Sequence, residues 1–92
     1  MKLLYKDITA STQVATQTCY LVGIETCGGS SNASIDIYDE DDSSNAADRL
    51  VASTKCSSWD RMKITMFPLP GIKCEGLYVL VNTGWGTIYY YY

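Results

Sequence analysis

Turn-forming residues recur along this chain at intervals of roughly 8 to 12 positions, and the runs between them alternate apolar and polar residues with a period of two. That rhythm needs no helix of full length. It predicts an all-β chain of seven to eight short strands, folded as an antiparallel β-sandwich or a jelly-roll-like domain. The cleanest run is Ala33 to Asp39, where Ala33, Ile35 and Ile37 share one face and Ser34, Asp36 and Tyr38 the other. Lys2 to Thr9 sets Leu3, Tyr5 and Asp7 against Leu4, Lys6 and Ile8, and Ala10-Ser11-Thr12 punctuates it. Gln17 to Cys27 reads as a longer strand in which Gly23 marks a bulge or a close backbone approach. Gly28-Gly29-Ser30-Ser31-Asn32 is a turn.

Arg49 to Cys56 reads as a weaker strand, preceded by room for one helical turn at Ala46-Ala47-Asp48. Asp60 to Leu69 alternates Met62, Ile64 and Met66 against Arg61, Lys63 and Thr65, and Pro68 and Pro70-Gly71 close it. Leu77 to Asn82 places Leu77, Val79 and Val81 opposite Tyr78 and Leu80. With both faces apolar, that strand is expected to be central or to meet a partner. Asn82-Thr83-Gly84 then turns the chain into the last strand, and the final two strands are expected to pair as a hairpin.

The last strand carries Gly86-Thr87-Ile88-Tyr89-Tyr90-Tyr91-Tyr92, with half of the eight tyrosines in four consecutive positions. Tyr89 and Tyr91 face one way, and Ile88, Tyr90 and Tyr92 the other. Neither face is polar, and tyrosine joins a large apolar ring to a hydroxyl that stays satisfied at a wet boundary. The tail therefore reads as an interface strand.

At 92 residues the chain is expected to be a single domain over 1–92. Area scaling gives it a folded surface of about 5,300 Å² and a thin core, a size at which association often adds stability. Seven basic residues, scattered, and a formal charge of −3 argue against capture of nucleic acid or of an anionic membrane. No apolar run approaches the roughly 20 residues of a spanning helix. The charged Lys6-Asp7 pair interrupts any h-region, so no signal peptide is expected and synthesis in a cytoplasm follows.

Catalytic and metal constellations are not expected. The chain contains no histidine, no Gly-x-Ser-x-Gly elbow and no Cys-x-x-Cys pair, so no enzyme activity, metal or cofactor is expected. Cys19 and Cys27 are expected on one side of a straight strand, about 26 Å apart and unable to bridge. Buried thiols are the ordinary expectation for the four cysteines, with a later bridge among Cys27, Cys56 and Cys74 left open. Asp39, Asp41, Ser43 and Asn45 place oxygen ligands at alternate positions, but Ser44 and Leu50 stand where a calcium loop needs Gly and a bidentate Glu. A solvated acidic loop over residues 39–48 is the expectation, with an irregular calcium site or a docking patch for a basic partner surface left open. Trp59 and Trp85 read either as core plugs or as exposed platforms for sugar stacking.

Four phrases together carry a resemblance: Lys6-Asp7-Ile8-Thr9-Ala10-Ser11, Ile37-Tyr38-Asp39, Pro70-Gly71-Ile72-Lys73-Cys74-Glu75-Gly76-Leu77-Tyr78-Val79 and Gly84-Trp85-Gly86-Thr87-Ile88-Tyr89. Across nearly the full length the chain resembles very short all-β virion proteins of tailed bacteriophages. The acidic loop, the four cysteines and the terminal tyrosines depart from the plainer Gly, Thr and Val-rich pattern of that group. The resemblance implies a capsid decoration (cement) protein, a homotrimer on the outer head surface bound to the major capsid protein. Subunit contacts would then fall on Tyr78, Leu80, Tyr89, Tyr90, Tyr91 and Tyr92. The strand Lys2, Leu3, Leu4, Tyr5 and Lys6 would reach a shell neighbour by strand addition. A tail or fibre component, or a receptor- or carbohydrate-binding β-domain, is the alternative.

Overall fold

The computed structural model of the chain describes residues 2–27, 32–41, 49–57 and 62–92. These residues form nine strands and no helix: β1 (Leu4–Ile8), β2 (Thr12–Ala15), β3 (Cys19–Cys27), β4 (Ala33–Tyr38), β5 (Leu50–Cys56), β6 (Met62–Met66), β7 (Ile72–Cys74), β8 (Leu77–Thr83) and β9 (Trp85–Tyr91). The strands make two antiparallel sheets. One runs β1-β9-β3-β6, with β7 also paired to β3, and the other runs β2-β8-β4-β5.

The pairing is that of a jelly roll. β1 pairs with β9, β2 with β8, β3 with β6 and β7, and β4 with β5, as if one long hairpin were wrapped around a common core. β6 and β7 share one edge of β3 end to end, β6 opposite Gly23–Cys27 and β7 opposite Cys19–Leu21. The accessible surface is 5243 Å², close to the value expected from length.

Alternation fills the core. Ile35 and Ile37 of β4, Leu77 and Val79 of β8, Leu21 and Ile24 of β3, and Ile88 of β9 are completely buried between the sheets. β8 lies between β2 and β4, the central position its two apolar faces predict. One polar pair joins the layers inside: the hydroxyls of Thr26 on β3 and Thr54 on β5, both buried, meet at 2.5 Å. Each satisfies the other where water does not reach.

Four expectations are corrected by this structure. β8 and β9 do not form a hairpin. Gly84, at φ 83°, carries the chain from one sheet to the other, and a Cβ there would stand 2.6 Å from the Ala33 Cβ and the Cys27 carbonyl oxygen. A Gly-containing turn signals reversal but does not decide whether the strands pair side by side or cross the sandwich.

The second correction concerns β3. Its register with β9 shifts between Leu21 and Gly23, so the strand changes phase at Val22. Cys19 consequently faces the core, whereas Cys27 lies half-exposed on the outer side. The third and fourth concern the number of strands and the acidic segment. Thr12–Ala15 and Ile72–Cys74 are strands that their short sequences did not announce, and with them the described strands number nine. Glu40 is 3 % exposed and held by Arg49, whose Nη2 and Nε donate to its two carboxylate oxygens at 3.1 and 3.3 Å. Asp39 accepts the Glu75 backbone N–H at 2.7 Å. Asp39 and Glu40 are thus held by specific partners; residues 42–48, with the expected turn at 46–48, lie outside the described residues.

Candidate binding face on the five-stranded sheet

The ladder registers set the outward side chains of the β1-β9-β3-β6 sheet in rows across the strands. Met62, Cys27 and Trp85 form one row; Ile64, Glu25, Thr87 and Asp7 the next; Met66, Gly23, Tyr89 and Tyr5 the third; and Lys73, Tyr20 and Tyr91 the fourth. The apolar half of β6 thus points away from the core. Met62, Ile64 and Met66 are 50, 58 and 55 % exposed, and Trp85 and Tyr5 are 46 and 69 % exposed. Period-two alternation reveals two faces of a strand but not which one the fold turns inward.

Local chemistry flattens this face. Gly23 leaves open the place where its side chain would stand, and the Met66 thioether occupies it, so that a Cβ at Gly23 would collide with Met66 Sδ. Tyr20 and Tyr91 stack with ring centroids 4.9 Å apart at 14°. The Tyr91 hydroxyl donates to the Pro70 carbonyl at 2.7 Å, tying the β9 ring to the loop before β7. The surface that results is broad and shallow.

Its centre is negative. The Tyr89 hydroxyl donates to Glu25 Oε2 at 3.2 Å, and Thr87 donates to Asp7 Oδ1 at 2.9 Å. The Tyr89 phenol is pushed above its usual range by that bond to Glu25, then by burial and by the charges of Glu25 and Asp7. Cys27 is likewise pushed up, first by burial and then by Glu25. Among the described residues no Lys or Arg forms an ion pair with Glu25.

The opposite face of the sandwich is different. On the outer side of β4, β5 and β8, Ser53 donates to Asp36 Oδ1 at 2.5 Å, and Asn82 donates to Asp36 Oδ2 at 3.0 Å and to Ser34 Oγ at 3.4 Å. This network satisfies itself. An open depression of about 580 Å³ lies beside it, lined by Asn32, Ala33, Ser34, Lys55, Cys56 and Ser57. Among the described residues that line it there is no aromatic ring on which a sugar would stack.

The residues named from sequence are therefore divided between surfaces. Tyr78 and Leu80 are half-buried on the outer side of the β2-β8-β4-β5 sheet, Tyr89 and Tyr91 on the outer side of the other. Tyr90, 8 % exposed, points inward into the core, so it is not on any outer surface. Tyr92 is exposed and meets the Tyr90 ring edge-on at 5.8 Å. The six do not form one patch. The tail is also not a peripheral strand, since β9 is hydrogen-bonded on both sides, to β1 and to β3.

β1 is an edge. Among the described strands it pairs with β9 alone, which leaves one side of its backbone open. Lys2, Leu3, Tyr5 and Lys6 are exposed along it, while Leu4 packs against the core. Trp85 is an exposed platform rather than a core plug; Trp59 lies outside the described residues. The sequence pattern that marked these residues missed the β6 stripe and Glu25, whose signal was present only in the register between strands. Among the described residues no three His, Cys, Asp or Glu side chains group as metal ligands. No protein-family model, curated protein or solved structure matches this chain.

Proposed function

We propose that the protein is a structural, non-catalytic β-sandwich that acts by attaching the outer face of its five-stranded sheet to other protein surfaces, as a decoration protein on the head of a tailed phage. The observation that carries this reading is the outward apolar stripe Met62, Ile64, Met66, continued by Trp85, Tyr89 and Tyr5. A contiguous apolar face of that extent on a small domain is typical of an interaction surface. The jelly-roll wiring agrees by analogy, because viral capsid domains use it, although lectins use it too.

Charge directs how the face would be used. A two-fold contact through the centre of the face would bring Glu25 of one copy against Glu25 of the other, which like charges oppose. A heterologous contact avoids this and, when it closes, forms a ring such as a homotrimer. The complement of the face is an apolar surface that carries a Lys or Arg to meet Glu25. The open edge of β1 adds a second attachment route, by strand addition to the major capsid protein. Decoration then stabilises the shell by mass action, through preferential binding to its expanded form.

Light scattering of the purified protein, followed by co-sedimentation with expanded phage heads, tests this. A trimer that sediments with heads supports the assignment; a monomer that stays in the supernatant overturns it. The exposure of Trp85 favours one competing reading, a tail or fibre domain that binds receptor or carbohydrate. Binding on a glycan array that is lost in Trp85→Ala would select that reading instead.

A further inference from the structure

Cys19 and Cys74 are register partners in the antiparallel ladder between β3 and β7. Directly opposite residues in such a ladder have Cα atoms about 4.5 to 5.5 Å apart, inside the span a disulfide bridges. Both side chains leave the ladder on its core side, at 0 and 1 % exposure, so their Cβ vectors run together. Both are thiols, and Cys74 Sγ meets the Ile72 carbonyl oxygen at 3.5 Å. The other two cysteines lack this arrangement. Cys27 is on the outer side of β3, and Cys56 is on the core side of β5 in the other sheet, opposite Ala33 in its own ladder.

We propose that Cys19 and Cys74 constitute a cystine site, at which a cross-strand disulfide fastens β7 to β3 when the protein meets a low-molecular-weight disulfide such as oxidised glutathione. β7 is the element that most gains from such a link. It has three residues, follows Pro70-Gly71, and among the described strands pairs with β3 alone. Short edge segments of this kind open locally without global unfolding.

Opening is required for the chemistry. In the closed fold burial pushes Cys19 up to about 11 and Cys74 up to about 12, with the charges of Asp39 and Glu75 adding to it, so both sulfurs stay protonated at neutral pH. Once β7 frays, the Cys74 thiolate attacks oxidised glutathione and releases one glutathione thiolate. As the strand re-pairs, Cys19 loses its proton and attacks the Cys74 sulfur, which releases the second glutathione. The two cysteines are oxidised, one glutathione disulfide is reduced to two thiols, and the two protons end on those thiols. The site does not depend on what the outer face binds.

The test oxidises the full-length protein with glutathione disulfide, both in the folded state and during refolding in a glutathione redox couple. Intact mass and non-reducing peptide mapping read the product. The expected result is a loss of two hydrogens, a Cys19–Cys74 cross-linked peptide and a melting temperature raised by about 10 °C or more, all reversed by a phosphine reductant. A Cys27→Ala/Cys56→Ala variant retains the pair and is expected to behave in the same way. A bridge that maps elsewhere, a glutathione adduct that persists on Cys74, or no bridge under either condition overturns the proposal.

Discussion

Replacing Met62, Ile64 and Met66 together by threonine removes the apolar stripe of β6 while placing a β-branched residue at each position, so the strand itself is preserved. Their exposed portions add up to about one and a half side chains. Full burial of one such side chain is worth about 1.5 to 3 kcal/mol, and threonine retains a methyl group, so each contact that covers the stripe should lose about 2 to 4 kcal/mol. That corresponds to roughly a 30-fold to 1,000-fold weaker association. The assay is sedimentation equilibrium over a protein dilution series, with head co-sedimentation in parallel and thermal unfolding as control. The expected outcome is dissociation at concentrations where the parent protein is assembled, with a melting temperature changed by only a few degrees. An unchanged mass and unchanged head binding would refute the assignment of this face, and a collapse in melting temperature would show that the three side chains support the fold instead.

Thr26→Val should leave the Thr54 hydroxyl buried without its partner and cost about 1 to 3 kcal/mol in urea unfolding, whereas Thr26→Val/Thr54→Val should recover most of that loss. Gly86→Ala should destabilise by about 1 to 3 kcal/mol, because the added Cβ meets the Glu25 carbonyl oxygen and stands 2.9 Å from Ile35 Cδ1; unfolding no easier than that of the parent would contradict the close approach of β9 to β3 and β4. Stability should fall in alkali. Cys19 and Cys74 ionise from about 9.0 in the unfolded chain but only near 11 and 12 in the fold, so their contribution is complete below pH 9 and is lost as pH rises through the folded values. Melting curves should therefore show a steeper decline above pH 9 for the parent than for Cys19→Ala/Cys74→Ala, with Tyr90, also raised chiefly by burial, adding a decline above 10 in both. Equal slopes would argue against the buried thiols.

How much of this was legible in the sequence depends on whether one strand's own residues held the information. The Ile35–Ile37 alternation is local and sufficient, as is the two-faced apolar pattern of β8. The destination of the chain after Gly84 is not local, since the same turn residues serve a hairpin or a crossing between sheets. The orientation of β6 depends on which of its faces meets Thr26 and Ile24 of β3, and that is set by register. One extra residue at Val22 reverses the phase of β3, which is why Cys19 and Cys27 part company and why Cys19 meets Cys74. Glu40 was hidden by its acidic neighbours: its partner Arg49 lies nine residues along the chain, and no spacing rule connects them. The candidate face is legible only in part for the same reason. Trp85 and the outward tyrosines stand out in composition, whereas Glu25 acquires meaning from Tyr89, Ile64 and Thr87 on strands far along the chain.

β9, the last of the nine strands in sequence, fills the gap between the first and the third. During synthesis the β1-β9-β3 ladders cannot form until that segment has left the ribosome, and until then β1 and β3 each lack their shared neighbour. Formation is therefore governed by pairings that span almost the whole chain, such as Tyr5 with Tyr89, and topologies of this kind fold slowly for their size. The outer face takes its final form only when β9 brings Trp85, Tyr89 and Tyr91 into place beside Tyr5, Gly23 and Glu25, so that face is a product of the completed ladder and not of any one segment.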